Sequence, residues 1–265
     1  MPIPAIVGIL NVTPDSYVDG GRYNDEASVV ARAKQFAREG ADIIEIGGES
    51  TGPGSPDVSA AEELRRVLSA VQTVHRELPA VRICVDTWKA AVAAAVVHSG
   101  ASMINDITAG RGDPEMFSVA ARAGCPLVLM YSKDAGPRTT KDAKQYDDVI
   151  GTIAAFLRER VAAAEQAGVA RKNIIVDPGL GHFISADPRY SFQILDSLSA
   201  FAEIAPVLVS PSRKSFLAGP HNLPVEQCLP ATLEASLTAM RNGASFIRTH
   251  DVAATRAALE TGRIS

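Results

Sequence analysis

Eight short apolar runs punctuate the chain: "AIVGIL" 5–10, "DIIEI" 42–46, "VRICV" 81–85, "SMINDI" 102–107, "PLVLM" 126–130, "NIIVD" 173–177, "PVLVS" 206–210 and "SFIRT" 245–249. They are nearly all apolar instead of alternating, the pattern of strands covered on both faces. Between them apolar residues recur at helical spacing. Val30, Ala33, Phe36 and Ala37 form one such stripe, Ile150, Ile153, Leu157 and Val161 a second, and Leu229, Leu233, Leu237 and Met240 a third. "EGADIIEI", "SGASMINDI" and "NGASFIRTH" repeat one helix-end-to-strand module. Eight such units in 265 residues predict an α/β chain folded as a single (β/α)8 barrel of the TIM type, with residues 1–265 as one domain.

The punctuation agrees. Asp113-Pro114 and Asp187-Pro188 read as an N-cap followed by proline at the first helical position, and Ser59 stands three residues before Glu62 at capping-box spacing. Gly40, Gly100, Gly124, Gly168 and Gly243 fall where helices should stop, because glycine accepts the left-handed conformation of a helix end.

Composition removes several function classes. A net charge of −4 gives no global field for nucleic acid, so any anion site is local. No apolar run approaches the roughly 18 residues of a spanning helix, and "MPIPAIVGILNVTPD" lacks a charged leader region, so a cytoplasmic protein without membrane attachment is expected. Cys84, Cys125 and Cys228 have no C-x-x-C spacing and read as buried thiols.

Chemistry in such a barrel belongs at the carboxyl ends of the strands, and there the sequence is polar beyond what packing requires. The runs end in or lead to Asn11, Glu45, Asp86-Thr87, Asn105-Asp106, Met130-Tyr131, Asp177, Ser212-Arg213-Lys214, and Arg248 with His250. Buried unpaired carboxylates are costly, so four acidic positions around one rim call for cations, donors or a ligand. The ring divides into two poles on this reading. Asp86, Asn105 and Asp177 suit a flat heterocycle with adjacent N–H donors, whereas Asn11, Arg248 and His250 suit an anion such as phosphate. Gly179-x-Gly181 lacks the third glycine of a dinucleotide fingerprint.

"GILNVTPDSYVDGG", "EIGGEST", "VDT", "IND", "DPGLG", "SRKS" and "RTHD", in this order and each at a strand end, resemble the dihydropteroate synthase family from about residue 6 to residue 255. The resemblance implies a (β/α)8 barrel that joins p-aminobenzoate to the methylene carbon of 6-hydroxymethyl-7,8-dihydropterin pyrophosphate, releasing pyrophosphate with Mg2+. It implies that Asp86, Asn105, Asp177 and Lys214 hold the pterin. Asn11, Arg248 and His250 would hold pyrophosphate, with Asn11 also at the metal and Asp15 on a loop that closes over the site. Thr51, Pro53 and Ser212 would line the p-aminobenzoate end, with Arg213 beside the carboxylate. Asp15, Lys214, Arg248 and His250 are the expected catalytic set, and a homodimer is implied.

The chain departs from the family pattern at several places. Gly52 stands where "STRPG" has arginine, Glu45 replaces an aspartate, and Tyr131 replaces the histidine of a Met-His pair. The "GHFIS" segment puts His182 or Phe183 at the aromatic position beside p-aminobenzoate, and all of these except Glu45 are expected near that end. "SRKSFL" and "NGASFIRTH" resemble sulfonamide-insensitive members. Two other activities use a similar pocket: methyl transfer from a pterin to a corrinoid protein, and pterin binding without synthesis. Retention of "NVTPD", Arg248 and His250 argues against methyl transfer, because a methylated pterin has no pyrophosphate to hold.

Overall fold

All eight apolar runs form strands in the computed structural model, which describes residues 2–13, 25–219 and 223–262. These are β1 (Ala5–Asn11), β2 (Ile43–Gly47), β3 (Arg82–Asp86), β4 (Met103–Asp106), β5 (Leu127–Met130), β6 (Ile174–Asp177), β7 (Leu208–Val209) and β8 (Phe246–Thr249). Every pairing is parallel, in the order β6-β5-β4-β3-β2-β1-β8-β7. A bridge between Val176 and Val207 joins β6 to β7 and closes the barrel. The helices among the described residues are α1 (Glu26–Arg38), α2 (Ala60–Glu77), α3 (Ala90–His98), α4 (Met116–Ala123), α5 (Val149–Gln166), α6 (Pro188–Asp196), α7 (Leu198–Ala202), α8 (Leu229–Arg241) and α9 (Val252–Gly262).

The strand register fixes what fills the interior. Two strands on around the barrel, the inward residue at the same height lies two positions beyond the register partner. Alternate strands therefore build layers of four. Ile43, Met103, Ile175 and Phe246 make the lowest, and Val7, Cys84, Val128 and Leu208 the next; together they form one apolar cluster separate from the main core. The third layer is Glu45, Asn105, Asp177 and Arg248, polar at all four positions. Ile9, Asp86, Met130 and Ser210 stand above it. The sheet thus has a dry lower plug and a polar floor beneath its carboxyl mouth.

The helix ends follow the sequence closely. The five expected stop glycines have positive φ, from 64° at Gly124 to 117° at Gly100. Ser59 caps α2 through the N–H of Glu62 at 3.2 Å, and Asp187 precedes Pro188 as the cap of α6. Asp113 does something the sequence did not indicate: its Oδ2 accepts from the backbone N–H of Ala90 at 2.9 Å and so serves the start of α3, while α4 begins only at Met116. Two stripes also shift. In α1 Val29 is buried in place of Val30, and α8 buries Thr232, Ala235, Ser236, Ala239 and Met240, leaving Leu233 and Leu237 half-buried. Small residues let α8 lie close against the barrel, and Leu237 packs sideways against Gly262 of α9.

Candidate active site

The polar floor is a connected network. Arg248 enters from β8 and its guanidinium meets Glu45 of β2, donates to Asp86 Oδ2 at 3.1 Å and reaches Ser210 Oγ at 3.4 Å. Asn105 donates through Nδ2 to Glu45 Oε2 at 3.1 Å, and the Cys84 thiol below lies 3.7 Å from the same oxygen. Glu45 is 1% exposed, so its charge is answered inside the protein. Asn105 Oδ1 has no partner although it is buried: an acceptor aimed into the site.

Asp177 and Lys214 form the second half. Asp177 Oδ1 accepts from the Gly179 N–H at 2.7 Å, and Lys214 Nζ donates to the Leu180 carbonyl at 3.2 Å while lying 5.0 Å from the Phe183 ring centre. Burial pushes Asp177 up to about 6, against the pull of Lys214. Burial pushes Lys214 down to about 8, against the pull of Asp177. Burial thus brings the titration points of both groups toward neutral pH, while their mutual attraction favours the charged pair. Asp86 is also raised, by burial and then by the neighbouring Glu45, while Arg248 opposes the shift.

Arg213 and Lys214, adjacent in sequence, point to different jobs. Arg213 has φ of 57°, an uncommon conformation for a long side chain. It gives a two-pronged contact to Asp251, Nε to Oδ2 at 3.0 Å and Nη2 to Oδ1 at 2.6 Å, which ties the β7 loop to the turn after β8. Lys214, one residue on, turns toward Asp177 and the floor.

His250 and Ser212 are brought together. Ser212 Oγ lies 3.0 Å from His250 Nδ1 and also accepts from the His250 backbone N–H at 3.2 Å, fixing the imidazole at the mouth. Burial, then Arg248, Arg213 and Arg32, drive the imidazole down to about 3, so the free ring is neutral at pH 7. Asn11 ends β1, and its Oδ1 would lie 3.3 Å from a Cβ on Gly47; the glycine leaves that amide oxygen open. Thr51 and Pro53 are half-buried in the β2–α2 loop. Asp15 lies outside the described residues.

Several expectations change. Arg248 does not sit apart from the acceptor pole; it binds Glu45 and Asp86, so floor and anion group form one network. Asp106 is not a free rim carboxylate: it accepts from Thr108 N–H, Thr108 Oγ1 and Gly110 N–H at 2.7–2.8 Å and shapes the β4–α4 loop. Tyr131 points away from the mouth, packing edge-on against Phe156 of α5 with its hydroxyl 3.2 Å from that of Tyr146. Of the two candidates in the sixth loop, Phe183 faces Lys214, whereas His182 Nε2 lies 3.1 Å from Ser215 Oγ. Sequence reading missed Ser210, although two-residue alternation from Leu208 points to it. It also missed Lys89, which is buried between Glu49 and Glu63.

A pterin-binding-enzyme family model matches residues 7–250, spanning all of these groups. The chain belongs to the pterin-binding enzyme family. Family membership extends to close relatives: the chain is 40% identical over 248 residues to a dihydropteroate synthase of Bacillus subtilis, covering 93% of this chain and 83% of the relative. A Yersinia pestis dihydropteroate synthase solved with a sulfonamide drug superposes with a TM-score of 0.93 at 35% identity, covering 98% of this chain and 94% of that one. A Xanthomonas albilineans dihydropteroate synthase solved with 4-aminobenzoic acid gives a TM-score of 0.85 at 37% identity, over 98% of this chain and 92% of that one. Among the described residues no helix is long and apolar enough to cross a membrane.

Proposed function

We propose that the protein is a dihydropteroate synthase of folate biosynthesis, an alkyl transferase that joins p-aminobenzoate to 6-hydroxymethyl-7,8-dihydropterin pyrophosphate. The observation that carries this reading is the floor layer itself. A barrel interior normally stacks branched apolar residues. Here one whole layer is polar, with a buried carboxylate at Asp177 and an unanswered acceptor at Asn105 Oδ1. A flat heterocycle with adjacent N–H donors satisfies both.

Asp177, Asn105, Asp86 and Lys214 hold the pterin; Arg248, His250 and Asn11 receive the pyrophosphate. Breaking the methylene carbon–oxygen bond moves an electron pair onto the leaving group, and cationic partners aimed there lower the barrier. The electron-rich pterin spreads the positive charge left behind. The neutral arylamine attacks that carbon through nitrogen and afterwards loses a proton, so it needs chiefly to be held in line. Thr51, Pro53, Ser212 and Phe183 border the p-aminobenzoate end. Relatives solved with that acid and with pteroic acid support this assignment.

Mg2+ suits the site as a shared ion. Among the described residues no group of three His, Cys, Asp or Glu side chains is arranged to hold a metal, but the open Asn11 Oδ1 is a hard oxygen donor of the type Mg2+ takes alongside substrate phosphates and water. When bound, the ion offsets charge on the departing pyrophosphate.

The reading includes action in the cytoplasm, which three unpaired, buried cysteines suit. It also includes a homodimer. An apolar groove between α6 and α8, where Phe192 is 47% exposed beside Phe216, supports that partner, and sedimentation checks it. The activity is tested by mixing the protein with the pterin pyrophosphate, p-aminobenzoate and Mg2+ and following pyrophosphate. Release that depends on p-aminobenzoate is expected. Pterin binding without release would instead fit a non-synthetic pterin-binding protein.

A further inference from the structure

Arg138 lies in the long β5–α5 loop, yet its guanidinium docks on the β2–α2 loop more than 80 residues earlier. Nε donates to the Ser55 carbonyl at 2.8 Å, Nη2 to the Pro56 carbonyl at 2.5 Å, and Nη1 to Asp57 Oδ1 at 2.5 Å; Nη2 also meets Glu49. All three nitrogens are used on one loop. Among the described residues the stretch from Ser50 to Pro56 is otherwise held mainly by itself: Ser55 Oγ bonds to the carbonyls of Ser50 and Gly52, and glycines occupy positions 52 and 54, while Lys89 and Arg66 fix only its start at Glu49 and Gly48.

Charge makes the contact necessary. The side chains of Glu49 and Glu63 are 4% and 1% exposed and share the single ammonium of Lys89. Arg138 is the second cation, completing the series Glu63, Lys89, Glu49, Arg138, Asp57. Although burial opposes it, Lys89 and Arg138 hold Glu49 below the usual carboxylate range. Without Arg138 the two buried carboxylates would share one ammonium; burial already raises the Glu63 pKa, and Glu49, which begins the loop, gains by moving out to water.

The other end of the same segment grips the sixth loop. Lys133 Nζ and Thr139 Oγ1 donate to the His182 carbonyl at 2.9 and 2.7 Å, and the Lys133 N–H donates to the Phe183 carbonyl at 2.8 Å. Residues 133–139 therefore brace the two loops that carry Thr51, Pro53 and Phe183.

We propose that Arg138 is a positioning residue that sets arylamine affinity by holding the β2–α2 loop against the barrel mouth. The proposal rests on the synthase reading for its substrate, and the test separates the two. In Arg138→Ala, which frees the loop from all four contacts, the KM for p-aminobenzoate should rise about tenfold or more, while the KM for the pterin pyrophosphate stays within about twofold. Arg138→Lys keeps the charge beside Glu49 but loses the carbonyl contacts, and should recover part of the loss. Asp57→Asn removes only a partner that is 96% exposed and should change little. Hydrogen exchange of residues 50–58, which needs no activity, should quicken in Arg138→Ala and not in Asp57→Asn, with the unfolding transition still cooperative. Equal rises in both KM values, or unchanged exchange in a folded Arg138→Ala, would overturn the proposal. Should the wild type prove inactive, exchange alone decides the clamp.

Discussion

Arg248 joins Glu45 to Asp86 across the inside of the barrel, one guanidinium between two carboxylates from different strands. Removing one member of such a buried set leaves the others uncompensated. Glu45→Gln should cost about 3 kcal/mol of stability or more. It should also lower the pKa of Asp86, because the Glu45 charge is one of the causes that raises it. Denaturant unfolding checks the first outcome and carboxylate titration by NMR the second. An unchanged midpoint would show that Arg248 is not held by Glu45.

The raised pKa of Asp177 carries a stability sign. Its value in the fold, about 6, exceeds the ordinary 3.8, so the folded state binds its proton more tightly than the unfolded chain. The stabilisation this gives is fully present below about pH 4 and is lost as pH rises through about 6. Asp177→Asn should therefore stabilise the empty protein by up to ~3 kcal/mol at pH 8, with the gain vanishing near pH 4. Thermal melts at both pH values decide it; a loss of stability at pH 8 contradicts the reading.

A neutral His250 beside an anion site should take up a proton when the anion arrives. The free imidazole is driven down to about 3 by burial and by Arg248, and a bound pyrophosphate reverses part of that shift. Calorimetry near pH 6 in buffers of different ionisation enthalpy should show more proton uptake in the wild type than in His250→Gln. Equal uptake in the two proteins would place the imidazole outside the anion's reach.

These groups were unequally legible in the sequence. The strands were visible because each is an apolar run covered on both sides, and Asp86, Asn105, Asp177, Arg248 and His250 were visible because they break or end such runs. Two-residue alternation explains why Arg248 points inward, but only the register of β8 against β1 and β7 brings it level with Glu45, from where its guanidinium also reaches Asp86 and Ser210 in the layer above. Tyr131 failed for the same kind of reason: one position past inward-facing Met130, it faces the helices. The leucine stripe of α8 misled because a helix lying close to the barrel buries alanine, serine and threonine, and periodicity scores leucine higher. Arg138 left no local signal, since its partners are distant in the chain.

The sixth loop should set drug discrimination. Sulfonamides resemble p-aminobenzoate but carry a substituent that must leave the pocket past its border. Here Phe183 is held by Lys133 through its carbonyl and by its position beside Lys214, while Gly52 brings no side chain to the β2–α2 loop. A fixed wall that excludes the larger ligand can give a few hundred-fold selectivity, about 3–4 kcal/mol. The inhibition constant of a sulfonamide should then far exceed the KM for p-aminobenzoate, and restoring phenylalanine-glycine in the sixth-loop segment should increase drug sensitivity. Potent inhibition of the unaltered enzyme contradicts this.

If the polar third layer is a pterin floor, calorimetric titration with a pterin, in the wild type and in Asp177→Ala and Asn105→Ala, should show it most simply. Each variant removes one group from a barrel whose two lower apolar layers remain intact. Both variants should fold, with pterin affinity lowered at least about tenfold, as loss of a charge-assisted or buried hydrogen bond requires. Wild-type affinity in a folded Asp177→Ala would contradict it.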